Sequence, residues 1–110
     1  MAPTTRMRER VYPRGKQEIT PLDPTQRYEL SVLTKKVQEM NVWKQTIFDI
    51  LVKAKPQPLS AEEIRDKLIE AKFRKVIDME SITKTLANLL EFGIIRRNEQ
   101  ALEKYEPNLI

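Results

Sequence analysis

Gly93 divides this sequence. Upstream of it, apolar residues recur at intervals of three and four. Downstream, Ile94-Ile95-Arg96-Arg97 and Glu103-Lys104-Tyr105-Glu106 follow no helical spacing and read as two short strands. Only two glycines occur in 110 residues, and this one sits between a helical stripe and a change of period. That is the place for a left-handed helix stop. The chain is predicted to be mainly α with a small β-hairpin at its end.

The helices announce themselves through their starts. Asp23-Pro24-Thr25-Gln26 offers a cap, a proline for the first helical position and a glutamine that reaches back, and Leu30, Leu33, Val37 and Met40 follow as one stripe. Asn41 ends that helix and caps the next, whose stripe is Trp43, Ile47, Ile50, Leu51 and Ala54, with Pro56 and Pro58 beyond. Ser60 and Glu63 form a capping box, with Leu59 and Ile64 as its hydrophobic staple. Asp78 caps a fourth helix, Met79–Phe92, with Ile82, Leu86, Leu89 and Leu90 turned inward. Met40, Trp43, Phe48, Met79 and Phe92 fall at helical spacing and are expected in the core.

The organisation expected from this order has three parts. Residues 1–22, broken by Pro3, Pro13, Gly15 and Pro21, form a basic extended arm; residues 23–41 form an N-terminal helix; residues 42–110 form the main domain. Three helices, a short glycine-free connection between the second and third, and a hairpin make the outline of a winged helix-turn-helix. In that architecture the Met79–Phe92 helix enters a major groove and the hairpin lies against the backbone.

Composition removes other classes. There is no Cys and no His, so disulfides, thiol catalysis, imidazole bases and the usual zinc sites are excluded. No acidic cluster has the spacing of a cation loop, no glycine-rich phosphate loop exists, and no nucleophile–base pair is suggested by spacing. The expectation is a protein without enzymatic activity, cofactor or metal. No stretch approaches the roughly 18 apolar residues of a membrane span, and the first 20 residues lack an apolar leader. An intracellular protein is expected, in the cytoplasm or nucleoid, or in the nucleus of a eukaryote.

Charge is unevenly placed. Residues 1–20 carry Arg6, Arg8, Arg10, Arg14 and Lys16 against Glu9 and Glu18, a net +3 of the chain's +4. Residues 21–110 carry 15 positive and 14 negative charges. Within them, residues 72–97 hold Lys72, Arg74, Lys75, Lys84, Arg96 and Arg97 against Asp78, Glu80 and Glu91. On the Met79–Phe92 helix the outward positions are Glu80, Thr83, Lys84, Ala87, Asn88 and Glu91. Thr83, Lys84 and Asn88 are able to bond base edges or phosphates. Candidate DNA contacts are therefore Arg6, Arg8, Arg10, Arg14 and Lys16 in the arm; Arg74 and Lys75 before the helix; Thr83, Lys84 and Asn88 on it; and Arg96 and Arg97 in the wing. Because Arg96 and Arg97 are adjacent on a strand, they point to opposite faces.

The run LSAEEIRDKL, then IDMESITKTLANLLEFGII, then a short hairpin, resembles the DNA-binding half of ferric uptake regulator proteins over roughly residues 30–107. The resemblance implies a winged helix whose groove-facing positions are Thr83, where that family has a base-contacting Tyr, and Lys84, where it has Arg. The family's metal ligands and its C-terminal dimerisation domain have no counterpart here, so iron sensing is not implied.

Two functions stay open at this level. The first is a DNA-binding transcriptional regulator, paired as a homodimer through residues 28–40 if the Leu30–Met40 stripe meets its twin and monomeric if the stripe packs at home. The second is a protein-interaction or RNA-contacting winged-helix subunit of a transcription, replication or RNA-processing complex. The near-neutral domain and the acids on its groove-facing helix favour the second. For the arm, the alternative to groove binding is a solvated terminus that packs on nothing.

Overall fold

The structure is a computed structural model and describes residues 19–110. The arm residues Arg6, Arg8, Arg10, Arg14 and Lys16 lie outside the described residues. Among those described, four helices and a three-stranded antiparallel sheet are present: α1 Leu30–Gln38, α2 Val42–Ala54, β1 Leu59–Ser60, α3 Ala61–Glu70, α4 Met79–Glu91, β2 Ile95–Arg97 and β3 Lys104–Pro107. No described helix is long and apolar enough to cross a membrane.

Local chemistry starts three of the helices where the sequence marks them. Asn41 Oδ1 accepts from the Lys44 amide at 2.9 Å, and Asp78 Oδ1 from the Ser81 amide at 3.4 Å. At α3 the capping box is closed: the Glu63 amide donates to Ser60 Oγ at 3.2 Å, and the Ser60 amide donates to Glu63 Oε1 at 2.8 Å. Leu59 and Ile64, the staple, are both buried. The bond from the Ser60 amide, helped by Lys104 nearby, holds the Glu63 carboxyl below its ordinary value of 4.5. A carboxyl depressed by folding adds stability that is complete above its unfolded pKa and lost as pH falls through its folded pKa. Acidification below 4.5 therefore progressively weakens the Glu63 half of this box. Ser60→Ala is expected to cost about 1 kcal/mol in urea unfolding at neutral pH, with m unchanged.

Helices α3 and α4 both end in left-handed stops. After α4, Gly93 has φ 75°, its amide donates to Leu90 O at 3.1 Å and the Ile94 amide donates to Leu89 O at 3.0 Å. This is the double bond pattern of a Schellman motif. A Cβ at Gly93 would stand 3.0 Å from the Leu22 carbonyl oxygen, so the position demands glycine twice over. After α3 the same pattern appears with no glycine: Lys72 has φ 57°, its amide bonds Ile69 O at 2.9 Å and the Phe73 amide bonds Leu68 O at 3.1 Å. A side chain in this region is strained by about 1–3 kcal/mol. The link to α4 runs over residues 71–78, eight residues, longer than the short connection expected.

The start of α1 differs from expectation. Pro24 does not begin it; α1 starts at Leu30. Asp23 instead closes a local turn, Oδ1 accepting from the Thr25 amide at 2.9 Å and from Thr25 Oγ1 at 2.7 Å. Tyr28 then pairs with Leu109, and Asn108 Nδ2 donates to Gln26 O at 2.7 Å and to Gly93 O at 2.9 Å. Contacts of Gln26 and Tyr28 to the C-terminal residues keep this segment out of a helix, so α1 waits until they are passed.

One core joins the elements. Leu33 and Val37 of α1 share it with Ile47, Phe48 and Leu51 of α2, Ile64 and Leu68 of α3, Ile82, Leu86 and Leu89 of α4, and Ile94. Of the stripe expected as a homodimer seam at residues 28–40, Leu33, at 0% exposure, and Val37, at 2%, are enclosed by their own chain, the arrangement in which the stripe packs at home. Leu22, the last residue assigned to the arm, packs on this core and its amide donates to Phe92 O at 3.0 Å.

The sheet has order β1–β3–β2. The hairpin pairs Ile95 with Pro107, Arg96 with Glu106 and Arg97 with Tyr105, one residue later at its second strand than expected. The edge strand β1 has no forerunner in the sequence pattern: Leu59 pairs with Tyr105 and Ser60 with Lys104. Two residues are too few to display a strand period, and they double as the cap of α3.

Candidate nucleic-acid interface

The outward side of α4 is an open surface. Glu80, Thr83, Lys84, Ala87 and Glu91 are exposed and Asn88 is half-buried. Its groups are largely satisfied at home. Thr83 Oγ1 donates to the Glu80 carbonyl at 3.1 Å, and Lys84 Nζ lies 3.5 Å from Glu80 Oε2. The Asp78 carboxyl, held low first by its bond to Ser81, also feels the Lys84 charge. Asn88 Oδ1 is buried with no hydrogen-bond partner among the described residues.

The wing arginines do point to different sides, and each is engaged. Arg96 Nη2 meets Glu106 Oε2 at 2.6 Å across the strand pair, with both side chains largely covered. Arg97 Nη1 donates to the Leu102 carbonyl at 2.9 Å, and its guanidinium lies 5.1 Å from the Tyr105 ring centre. These bonds shape the hairpin. Around them Glu99 and Glu103 are exposed, with Glu99 3.5 Å from Arg27. A strand-borne arginine with a carboxylate at the paired position has a nearer partner than any phosphate.

The link between α3 and α4 is different in kind. The left-handed turn at Lys72 throws Phe73 back onto the core and leaves Lys72, Arg74, Lys75 and Val76 exposed. Arg74 lies over the Trp43 ring, 4.7 Å from its centre, and 5.7 Å from that of Phe73. Both rings are half-buried and pack at 5.6 Å with a 44° tilt. Trp43 Nε1 donates to Thr85 Oγ1 at 2.7 Å, fixing the indole against the middle of α4. Among the described residues no carboxylate lies within ion-pair distance of Lys72, Arg74 or Lys75.

Of the expected contacts within residues 19–110, the structure therefore gathers Arg74, Lys75, Thr83 and Lys84 along the loop and helix α4. It ties Arg96 and Arg97 into the hairpin. Sequence reasoning places Trp43 in the core and passes over Phe73 and Thr85. The interleaving of cation and ring in Phe73-Arg74-Lys75 is the available signal, while the indole's partner, 42 residues away, leaves none. No group of three or more Asp or Glu able to hold a metal is found among the described residues. No family model matches the sequence, and comparison with curated proteins and with solved structures gave no match.

Proposed function

We propose that this chain is a winged helix-turn-helix module, similar to the DNA-binding half of ferric uptake regulators, that binds duplex DNA as a non-enzymatic transcriptional regulator. Helix α4 presents Thr83 and Lys84 to the major groove, Arg74 and Lys75 take phosphates at its entrance, and the basic arm follows the backbone. The observation that carries the reading is the cluster of three cations at residues 72–75, unpaired among the described residues, beside a helix whose polar side is open. The order helix, edge strand, helix, helix, hairpin is compatible with it, being the order of elements in a winged helix-turn-helix. Such a role locates the chain with the DNA, in the nucleoid or nucleus.

Lys75→Ala is expected to weaken random-duplex binding about equally for all sequences and to lower the salt slope by about 0.9. Lys84→Ala is expected to cost roughly 1–3 kcal/mol selectively if its partner is a guanine edge. Fluorescence anisotropy over a salt series checks both. Wild-type affinity in both variants would overturn the assignment.

A second reading has its own observation. Glu80 and Glu91 on α4, and Glu99 and Glu103 on the hairpin, repel phosphate, while Arg96 and Arg97 are engaged internally. A protein-interaction winged helix would show this surface. Near-zero affinity for any nucleic acid at about 50 mM salt, where phosphate contacts bind strongly, would select it.

A further inference from the structure

Arg74 is an exposed arginine held in place by a ring rather than by a carboxylate. Its position over Trp43 is inside the roughly 6 Å range of a cation–π contact. The ring beneath it is itself fixed, by the bond to Thr85 on one side and by Phe73 on another. The strained backbone at Lys72 turns the chain so that Phe73 and Arg74 reach this place. Three devices thus hold one guanidinium whose N–H groups have no hydrogen-bond partner among the described residues.

We propose that the Arg74–Trp43–Phe73 cluster is a stacking subsite for an unpaired nucleobase, with Lys72 and Lys75 binding the flanking phosphates of a single strand. This proposal rests on the nucleic-acid reading above and deepens it. A guanidinium is planar, weakly hydrated and stacks on π-faces, so the side of Arg74 turned away from the indole is a platform for a second flat group. In a duplex each base has both faces covered by its neighbours. Only a single strand, an overhang or a flipped nucleotide offers a free face, and aromatic and arginine platforms flanked by cations are how such faces are held. Val76, next to Lys75 in the same link, is 85% exposed and adds apolar surface there. Phosphate alone would need only the cations. The fixed ring stack is explained by a flat ligand.

Trp43 is the chain's single tryptophan, so the subsite carries its own reporter. The experiment titrates the full chain with an oligothymidylate of about 12 nucleotides, within the span that one small single-strand module covers, with an abasic strand of the same length, and with a blunt random duplex. Trp43 fluorescence and anisotropy are followed throughout. Oligothymidylate is expected to quench Trp43 and to bind about tenfold tighter than the abasic strand, the scale of one stacked base. Arg74→Lys keeps the charge and loses the plane. It is expected to reduce that preference to within about twofold while leaving the salt slope and melting temperature unchanged. Equal binding of thymidylate and abasic strands by the wild-type chain overturns the subsite, as does a base preference that survives in Arg74→Lys. If the subsite fails in this way while duplex binding persists and depends on Lys84, the duplex reading stands alone. If none of the three probes binds, both fall.

Discussion

Removal of residues 1–18 is expected to lower affinity for random duplex DNA by roughly two to four orders of magnitude near 0.1 M salt. The segment holds Arg6, Arg8, Arg10, Arg14 and Lys16 against Glu9 and Glu18. Each cation that meets a phosphate releases a condensed counterion, so log affinity against log salt flattens by up to about 0.9 for every phosphate the truncated chain leaves unneutralised. The remainder of the chain has 15 positive and 14 negative charges beyond residue 20, and its hairpin arginines are internally engaged. It has little to put in the arm's place. The structure sets the cut: Leu22 must stay, because its amide bonds Phe92 O and its backbone closes over Gly93. Anisotropy titrations of full-length and truncated chains over a salt series, with melting curves for both, make the measurement. An unchanged slope would remove the arm from the interface.

Leu33→Ala is expected to destabilise the domain by about 2–5 kcal/mol. For a domain of this size that lowers Tm by roughly 10–30 °C. Leu33 has no exposed surface and lies where α1 meets α2, so truncation leaves a cavity that neighbouring helices fill only in part. The same substitution discriminates between a core helix and a subunit seam. If α1 serves its own domain, both the wild-type Tm and the effect of the substitution are independent of protein concentration; a seam would make them depend on it. Leu30, 46% exposed on the same helix, is the control, and alanine there should shift Tm by only a few degrees. A concentration-dependent Tm would restore the dimer that burial of Leu33 and Val37 argues against.

Electrostatics and packing act on different parts of the candidate interface. Lys84, beside Glu80 on an exposed helix face, keeps its reach, since surface pairs of this kind are worth at most about 1 kcal/mol and yield to a phosphate. Arg96 does not: its pairing with Glu106 is short and largely covered, and breaking it would strand a largely covered carboxylate. Two cations that look alike in the sequence therefore differ in availability, by burial alone.

Much of what neighbours within about five residues govern was legible in the sequence. Asn41, Ser60 and Asp78 cap the helices assigned to them and Gly93 takes its positive φ, because these bonds close within about one turn of chain, and the hairpin forms where the period changes. The placement of net charge in the arm was equally plain. The start of α1, the edge strand β1, the left-handed turn at Lys72 and the stacking of Arg74 on Trp43 were not. The Asp23 motif satisfies helix start and Asx turn alike, and pairing of Tyr28 with Leu109 chose between them. Lys72 offers no glycine to mark its turn, and the pull comes from Phe73 seating on the core. The Trp43–Thr85 bond spans 42 residues and the Asn108–Gln26 bond spans 82. Bonds across such distances leave no period or spacing in the chain, so which cations stay free and which ring supports Arg74 were decided only when the helices closed on a common core.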